Sequence, residues 1–296
     1  MFKSGFIAIN GRPNAGKSTL LNALLKQKVA IISPKAQTTR NTIQGVYNDN
    51  DSQIVFIDTP GIHKPQNKLG EIMNKQAFSA RKDVEGILLI VDASVPFGGG
   101  DEYVIESIKT KVVPVFLVLN KIDLLTKEEI YNVIQLWKDK FDFKEIIPIS
   151  ALKNDNLETL IIEIKKILEE GPKYYPDGMI SDHPENFIIS EIVREKILYF
   201  TRDEVPHSVA VCVERVRRTK TGSVAIDATI IVERDSQKGI IIGKGGTMIK
   251  KIGTAARKNL EHLLDTPINL ELFVRVENNW RNSAKYLSEF GYKNED

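Results

Sequence analysis

Along the first half of the chain, short apolar runs alternate with longer stretches whose apolar residues recur at helical spacing. The runs fall at 6–9, 54–57, 87–91, 115–119 and 146–149. Each leads through a turn into a helical segment, such as Leu157, Leu160, Ile161, Ile164 and Leu168, which share one face at 100° per residue. Strand alternating with helix predicts an α/β fold, a mostly parallel sheet with helices on both faces. Residues 42–48 add one strand, expected at an antiparallel edge. Between 171 and 184 the periodicity stops while Gly171, Pro172, Pro176, Gly178 and Pro184 accumulate, the composition of a linker. Beyond it the pattern predicts a helix (187–200), two strands (208–216 and 223–232), a Gly-rich turn, a helix (247–264), a strand (268–276) and a last helix after Trp280. The expected division is therefore an α/β domain over 1–170, a linker over 171–184 and a smaller α+β domain over 185–296.

Composition supports two cores, with 296 residues of which 42% are hydrophobic. The 41 basic and 39 acidic residues leave a net charge of only +2, so a site for a polyanion must be a local patch. No apolar run approaches the roughly 20 residues that span a bilayer, and polar Asn10 and Arg12 arrive before an export signal could form. The single cysteine, Cys212, excludes an internal disulfide framework and a cysteine-rich zinc site, which places the expected address in the reducing cytoplasm. Cys212 itself reads as packing in a Val-rich strand. His183, His207 and His262 lack metal-ligand spacing, and Trp280, Tyr286 and Phe290 read as core.

The chemistry concentrates where strands end. The first run leads into Gly11-Arg12-Pro13-Asn14-Ala15-Gly16-Lys17-Ser18, followed by Thr19 at the start of a helix. This is a complete G-x-x-x-x-G-K-[ST] phosphate loop: glycines admit close backbone approach, N–H groups face the anion, Lys17 reaches the β and γ phosphates and the Ser18 hydroxyl ligates Mg²⁺. The next parallel strand ends in Asp58-Thr59-Pro60-Gly61, in which Asp58 can hold Mg²⁺ through water and the Gly61 N–H can sense a γ phosphate, with Ile62 behind it. A later strand ends in Asn120-Lys121-Ile122-Asp123. Its Asp123 carboxylate can accept from both the N1–H and the 2-amino group of guanine, donors that adenine lacks, while Asn120 holds the loop and base edge. Ser150-Ala151-Leu152 adds the Ala151 N–H as a donor to the guanine O6. Metal and γ phosphate also need a threonine before Asp58, for which Thr38, Thr39 and Thr42 are available.

In the second domain, Lys238 precedes Gly239-Ile240-Ile241-Ile242 and then Gly243-Lys244-Gly245-Gly246, a G-x-x-G loop between an apolar run and a helix. Small residues let phosphates approach the backbone, and Ile240 to Ile242 are expected to floor the site under unstacked bases. On the following helix, Ile249, Ile252, Ala256, Leu260 and Leu263 form one stripe and Lys250, Lys251, Arg257 and Lys258 lie opposite. Arg215, Arg217, Arg218 and Lys220, at a strand-to-strand turn, would extend the phosphate contacts.

The first constellation resembles the GTP-binding module of the P-loop GTPases over residues 5–168, and the second resembles a type II KH domain. With Gln37-Thr38-Thr39-Arg40, the continuation into His63-Lys64-Pro65 and Asn279-Trp280-Arg281, the whole chain resembles the Era family of bacterial GTPases. That resemblance selects Thr39 as the switch ligand, so that Ser18, Thr39 and Asp58 form the metal set and Lys17, Thr39 and Gly61 the catalytic set. It implies GTP and GDP as substrate and product, Mg²⁺ as cofactor, and slow hydrolysis, since Ile62 stands where many small GTPases carry a water-orienting glutamine. K⁺ held by Asn14 is expected to stimulate that hydrolysis, and a lone loop residue such as His63 reads as solvated.

The implied partners are the 3′ end of small-subunit ribosomal RNA and the small ribosomal subunit during assembly, with no DNA and a monomeric chain. Peripheral contact with the cytoplasmic face of the inner membrane is also implied, although the sequence offers no amphipathic or lipidated anchor for it. Rival readings are a GTPase acting on transfer RNA or the large subunit, and an RNA-binding protein using nucleotide structurally. A metabolic P-loop kinase is disfavoured by residues 120–123.

Overall fold

A computed structural model describes residues 1–35, 37–109, 112–218 and 222–292. Lys3–Gly11 (β1) runs through the phosphate loop into Lys17–Leu25 (α1), and Ile43–Asn48 (β2) turns back on Ser52–Asp58 (β3). Then follow Lys68–Ser79 (α2), Gly86–Asp92 (β4), Gly99–Ile108 (α3), Val115–Asn120 (β5), Lys127–Lys138 (α4), Glu145–Pro148 (β6) and Leu157–Ile167 (α5). The strands form one sheet in the order β2-β3-β1-β4-β5-β6, parallel throughout except for the β2/β3 pair. Successive β1 residues face opposite sides: Ile7 and Ile9 pack with α1 and α5, whereas Ala8 packs with α2 and α3. Both faces are therefore apolar, which is why the strands appear in sequence as unbroken hydrophobic runs. Because β1, β3, β5 and β6 run the same way, the loops after them gather along one edge.

The segment 171–184 is docked rather than free. The Gln53 side chain accepts from the Tyr174 and Tyr175 N–H groups at 2.7 and 2.9 Å, and the Val46 N–H donates to the Ile180 carbonyl at 2.9 Å. This covers β2, the otherwise open edge of the sheet.

Glu185–Phe200 (α6), Ala210–Arg218 (β7), Val224–Val232 (β8), Asp235–Ile242 (α7), Thr247–Leu264 (α8), Ile268–Val276 (β9) and Ala284–Glu289 (α9) form the second unit. Its sheet has the order β7-β8-β9, with β8 antiparallel to β7 and parallel to β9, and α6 and α8 pack over one face. Helix α7 departs from the sequence expectation of a Gly-rich turn preceded by an apolar run. The Gln237 Oε1 accepts from the Glu233 and Arg234 N–H groups, at 2.9 and 3.2 Å, and pins the first turn. In consequence Ile241 is buried in the core, Ile240 is half exposed and no three-residue apolar floor exists.

The two units meet through the segments that flank the phosphate pocket. Arg40 is fully buried and donates to the carbonyls of Val209 (2.6 Å), Pro206 and His207 (both 3.1 Å), while Arg194 of α6 donates to the Thr38 carbonyl. Glu195 accepts from the Ile32 N–H and from Lys28. From α2, Leu69 and Met73 share a buried cluster with Trp280, Leu287, Phe290 and Tyr292. Trp280 and Phe290 are thus core residues, as their spacing predicted, while Tyr286 is only partly buried against them.

Candidate functional site

A cleft of about 700 Å³ opens where β1, β4 and β5 end, lined by the phosphate loop, residues 31–34 and 37–39, Gly61, Lys121 and Leu152. Its floor depends on a close approach. A Cβ at Gly16, whose φ is +98°, would lie 2.2 Å from the Asn120 amide nitrogen, so glycine is required for the loop to pass over β5. Asn120 donates one amide hydrogen to the Ala15 carbonyl at 2.9 Å and accepts from the Ala151 N–H at 3.0 Å. Asn120 thereby ties the phosphate loop to the 150–152 loop with one of its two amide hydrogens, and the Ala151 N–H points to the Asn120 side-chain oxygen. Asp123, two residues beyond the cleft-lining Lys121, is exposed, and the Ser150 hydroxyl donates to one of its oxygens at 2.6 Å, which orients the carboxylate.

Lys17 is buried, donates to the Arg12 carbonyl at 3.0 Å, and has its pKa lowered by desolvation, an effect that the nearby Asp58 charge opposes. The Ser18 hydroxyl donates to Asp58 Oδ2 at 2.7 Å and lies 2.8 Å from Thr39 Oγ1. Thr38 turns away, its hydroxyl on the Lys35 carbonyl at 2.6 Å. Desolvation pushes the Asp58 carboxyl up to about 6, against the pull of Lys17 and Ser18, and its Oδ1 is buried with no hydrogen-bond partner. One carboxylate with an orphaned oxygen beside two hydroxyls is a donor set that fits Mg²⁺, a hard cation held by few protein oxygens.

Several expected contacts fall elsewhere. The Thr59 hydroxyl donates inward at 2.8 Å to the Ile9 carbonyl, Pro60 is buried, and Ile62 packs into the core with only its N–H reaching Gly11. Arg12 lines the cleft but pairs with Asp101 at 2.9 Å. His63 is not a solvated side chain: its ring nitrogens lie 2.8 Å from the Gly61 carbonyl and 3.0 Å from the Gln37 amide nitrogen.

In the second unit Gly245 and Gly246 adopt positive φ, +60° and +77°, and nothing lies within 4 Å of the position a Cβ would take on either. The loop therefore presents bare backbone at the N-terminal end of α8, open to an anion. Beside it runs a groove between α8 and β9, walled by Ile249, Gly253, Leu270 and Leu272 and edged by Lys250 and Arg257. Sequence reasoning missed the β9 wall, since nothing local in 268–276 marks which strand borders α8. The basic face also divides. Lys251 and Lys258 lie on the other flank, with the Lys251 ammonium 4.4 Å from the Phe200 ring centroid. Arg217 and Arg218 sit on β7, the far edge of the sheet, paired with Asp227 and Glu185, and Lys220 lies outside the described residues.

Comparison with known proteins agrees with both halves. A family model described as a 50S ribosome-binding GTPase matches residues 6–121, and a KH-domain model matches 204–281. Over its whole length the chain is similar to the crystal structure of Era in complex with MgGDPNP and nucleotides 1506–1542 of 16S ribosomal RNA, at 43% identity, 99% coverage of each chain and a TM-score of 0.96. A variant of Aquifex aeolicus Era bound to GDP·AlF4⁻ matches at 43% identity, 98% and 99% coverage and a TM-score of 0.95. Fold and site together define a P-loop GTPase joined to a KH domain. More narrowly, the chain belongs to the Era family.

Proposed function

We propose that this GTPase is a Mg²⁺-dependent switch that binds the single-stranded 3′ end of small-subunit ribosomal RNA in its KH groove and assists small-subunit assembly. The carrying observation is the likeness, at 43% identity over nearly the entire chain, to a relative solved with both a GTP analogue and that RNA end. In this reading Ser18, Thr39 and Asp58 hold Mg²⁺, and Lys17 and the Gly61 N–H meet the γ phosphate. Gly16 and Thr19 close the loop around the remaining phosphates, and Asp123 selects guanine. Gly243 to Gly246 clamp the RNA backbone, with Lys238, Lys244 and Lys250 neutralising phosphates.

A route between the sites supports the switch. Arg40 follows Thr39 and enters the 206–209 turn; its guanidinium lies 5.9 Å from the Trp280 ring centroid. The next residue, Arg281, pairs at 2.6 Å with Glu233, two residues before the start of α7, which leads to the glycine loop. By linkage, GTP and RNA would then raise each other's affinity.

Among the described residues no helix is long and apolar enough to cross a membrane. The reading places the protein in the cytoplasm as a monomer, with membrane contact only peripheral.

The test is binding of a labelled oligonucleotide matching the small-subunit RNA 3′ end, with GTP analogue or GDP, by wild type and Gly245→Asp. Tighter binding with the analogue, lost in the variant, is expected; equal weak binding in every condition discards the RNA target. The description of the family model matching residues 6–121 favours a second reading, action on the large subunit. Which ribosomal RNA co-purifies with the protein decides between them.

A further inference from the structure

The position that would orient water in many small GTPases is closed here, because the Ile62 side chain is 1% exposed and packed beneath the sheet. Hydrolysis still needs a group that aligns water behind the γ phosphate. The polar side chains around that end of the cleft are mostly occupied. Thr38 is bonded to the Lys35 carbonyl, Arg12 pairs with Asp101, Thr39 belongs to the metal set, and Asn14, whose nitrogen donates to the Pro34 carbonyl, is part of the phosphate loop itself. Gln37 is different: it lines the cleft with Thr39 and Gly61, and the contact made by its amide is to His63 through the nitrogen.

That contact determines which way the amide faces. The Gly61 carbonyl can only accept, so the His63 Nδ1 at 2.8 Å carries the proton. His63 Nε2 is then a lone pair, which accepts from the Gln37 NH₂ at 3.0 Å. The Gln37 carbonyl oxygen is left as an acceptor on the cleft wall. Its backbone adds a second sign: φ is +60°, a left-handed conformation that costs a non-glycine residue of order 1 kcal/mol and is commonly retained at working sites. Finally, His63 hangs on the carbonyl of Gly61, which lines the same cleft. Any approach of Gly61 to the γ phosphate carries His63 and the Gln37 amide with it.

We propose that Gln37, held by His63, is the residue that aligns the attacking water, replacing from switch I the group that position 62 lacks. The reading rests on GTP hydrolysis in this cleft. The water oxygen forms a bond to the γ phosphorus as the bond to the β–γ bridging oxygen breaks, and the electron pair leaves with GDP. The proton of the water passes to the released phosphate. Gln37 accepts a hydrogen bond from the water and takes no proton, and His63 acts only through Gln37.

Single-turnover hydrolysis at saturating GTP tests this, alongside the affinities for a non-hydrolysable GTP analogue and for GDP·AlF4⁻. Gln37→Ala is expected to slow the chemical step by about ten- to a hundredfold and weaken GDP·AlF4⁻ by a like factor, with analogue affinity unchanged. His63→Ala should slow the step less, and the double variant should be no slower than Gln37→Ala alone. A wild-type rate in Gln37→Ala, or a rate loss matched by loss of analogue affinity, overturns the proposal. Additive losses in the double variant overturn the role given to His63.

Discussion

The Arg40 guanidinium donates to the Val209 carbonyl oxygen at 2.6 Å, which ties the residue after Thr39 to a turn 169 positions further along the chain. Pro206 and His207 carbonyls complete the socket. Arg40→Ala would leave three acceptors without their donor in a buried site, at a cost of roughly 3 kcal/mol in denaturant unfolding. It is also expected to erase the difference in RNA affinity between the GTP-analogue and GDP states. A destabilised variant that keeps the full difference would show that communication between the domains does not run through Arg40.

Asp58 gives a pH dependence with a definite sign. Its carboxyl sits at about 6 in the folded protein against an ordinary 3.8, so the native state binds the proton more tightly than the unfolded chain. The stability from this group is full below about pH 4, declines as pH rises through 6 and is absent above. Asp58→Asn should remove that step and stabilise the nucleotide-free protein at pH 7.5. Magnesium competes for the same oxygens, so Mg²⁺-dependent affinity for a GTP analogue should fall about tenfold per pH unit below 6. A flat affinity from pH 7.5 to 5 would contradict the assignment.

Much of this was legible in the sequence, for identifiable reasons. The parallel strands are buried on both faces and appear as continuous apolar runs; the phosphate loop and 58–61 are contiguous, so spacing alone identifies them. What was hidden depends on distant partners. Helix α7 is held by Gln237 reaching back to Glu233, and the pattern of Gly239 followed by three isoleucines gives no hint of it. Arg40 and Arg194 look like surface charges until the chain folds and buries them between the domains. The Ala151 N–H donates to the Asn120 oxygen, a pairing that the three letters Ser150-Ala151-Leu152 do not announce.

Base selection should be switchable at Asp123. Its carboxylate is oriented by Ser150, and in the proposed reading its acceptors meet the two donors on one edge of guanine. Asp123→Asn replaces an acceptor by a donor, which opposes the guanine 2-amino group and suits the 2-oxo group of xanthine. GTP affinity is expected to drop by at least a hundredfold while xanthosine triphosphate gains. Competition binding with both nucleotides measures it, and equal losses for the two would point to a damaged loop instead.

Asn14 lies at positive φ (+64°), and its side-chain nitrogen donates to the Pro34 carbonyl at 3.0 Å, which turns its oxygen away as an acceptor for a cation. We expect K⁺ to accelerate hydrolysis through that oxygen. Initial rates in KCl should exceed those in NaCl at equal ionic strength by tenfold or so, a gap that Asn14→Ala closes. Equal rates in the two salts would sink the role for K⁺.

Basic residues near the proposed RNA groove should be separable by salt. Lys250 edges the groove and has no ion pair among the described contacts, whereas Arg218 is paired with Glu185 at 3.1 Å on the opposite edge of the sheet. Each phosphate neutralised on a single strand contributes about −0.7 to the slope of log K against log salt. Lys250→Ala should therefore flatten that slope by about 0.7 and weaken binding at low salt most, while Arg218→Ala should leave both unchanged. If Arg218→Ala flattened the slope as much, the RNA path would have to cross β7 rather than follow α8 and β9, and the groove would be the wrong site.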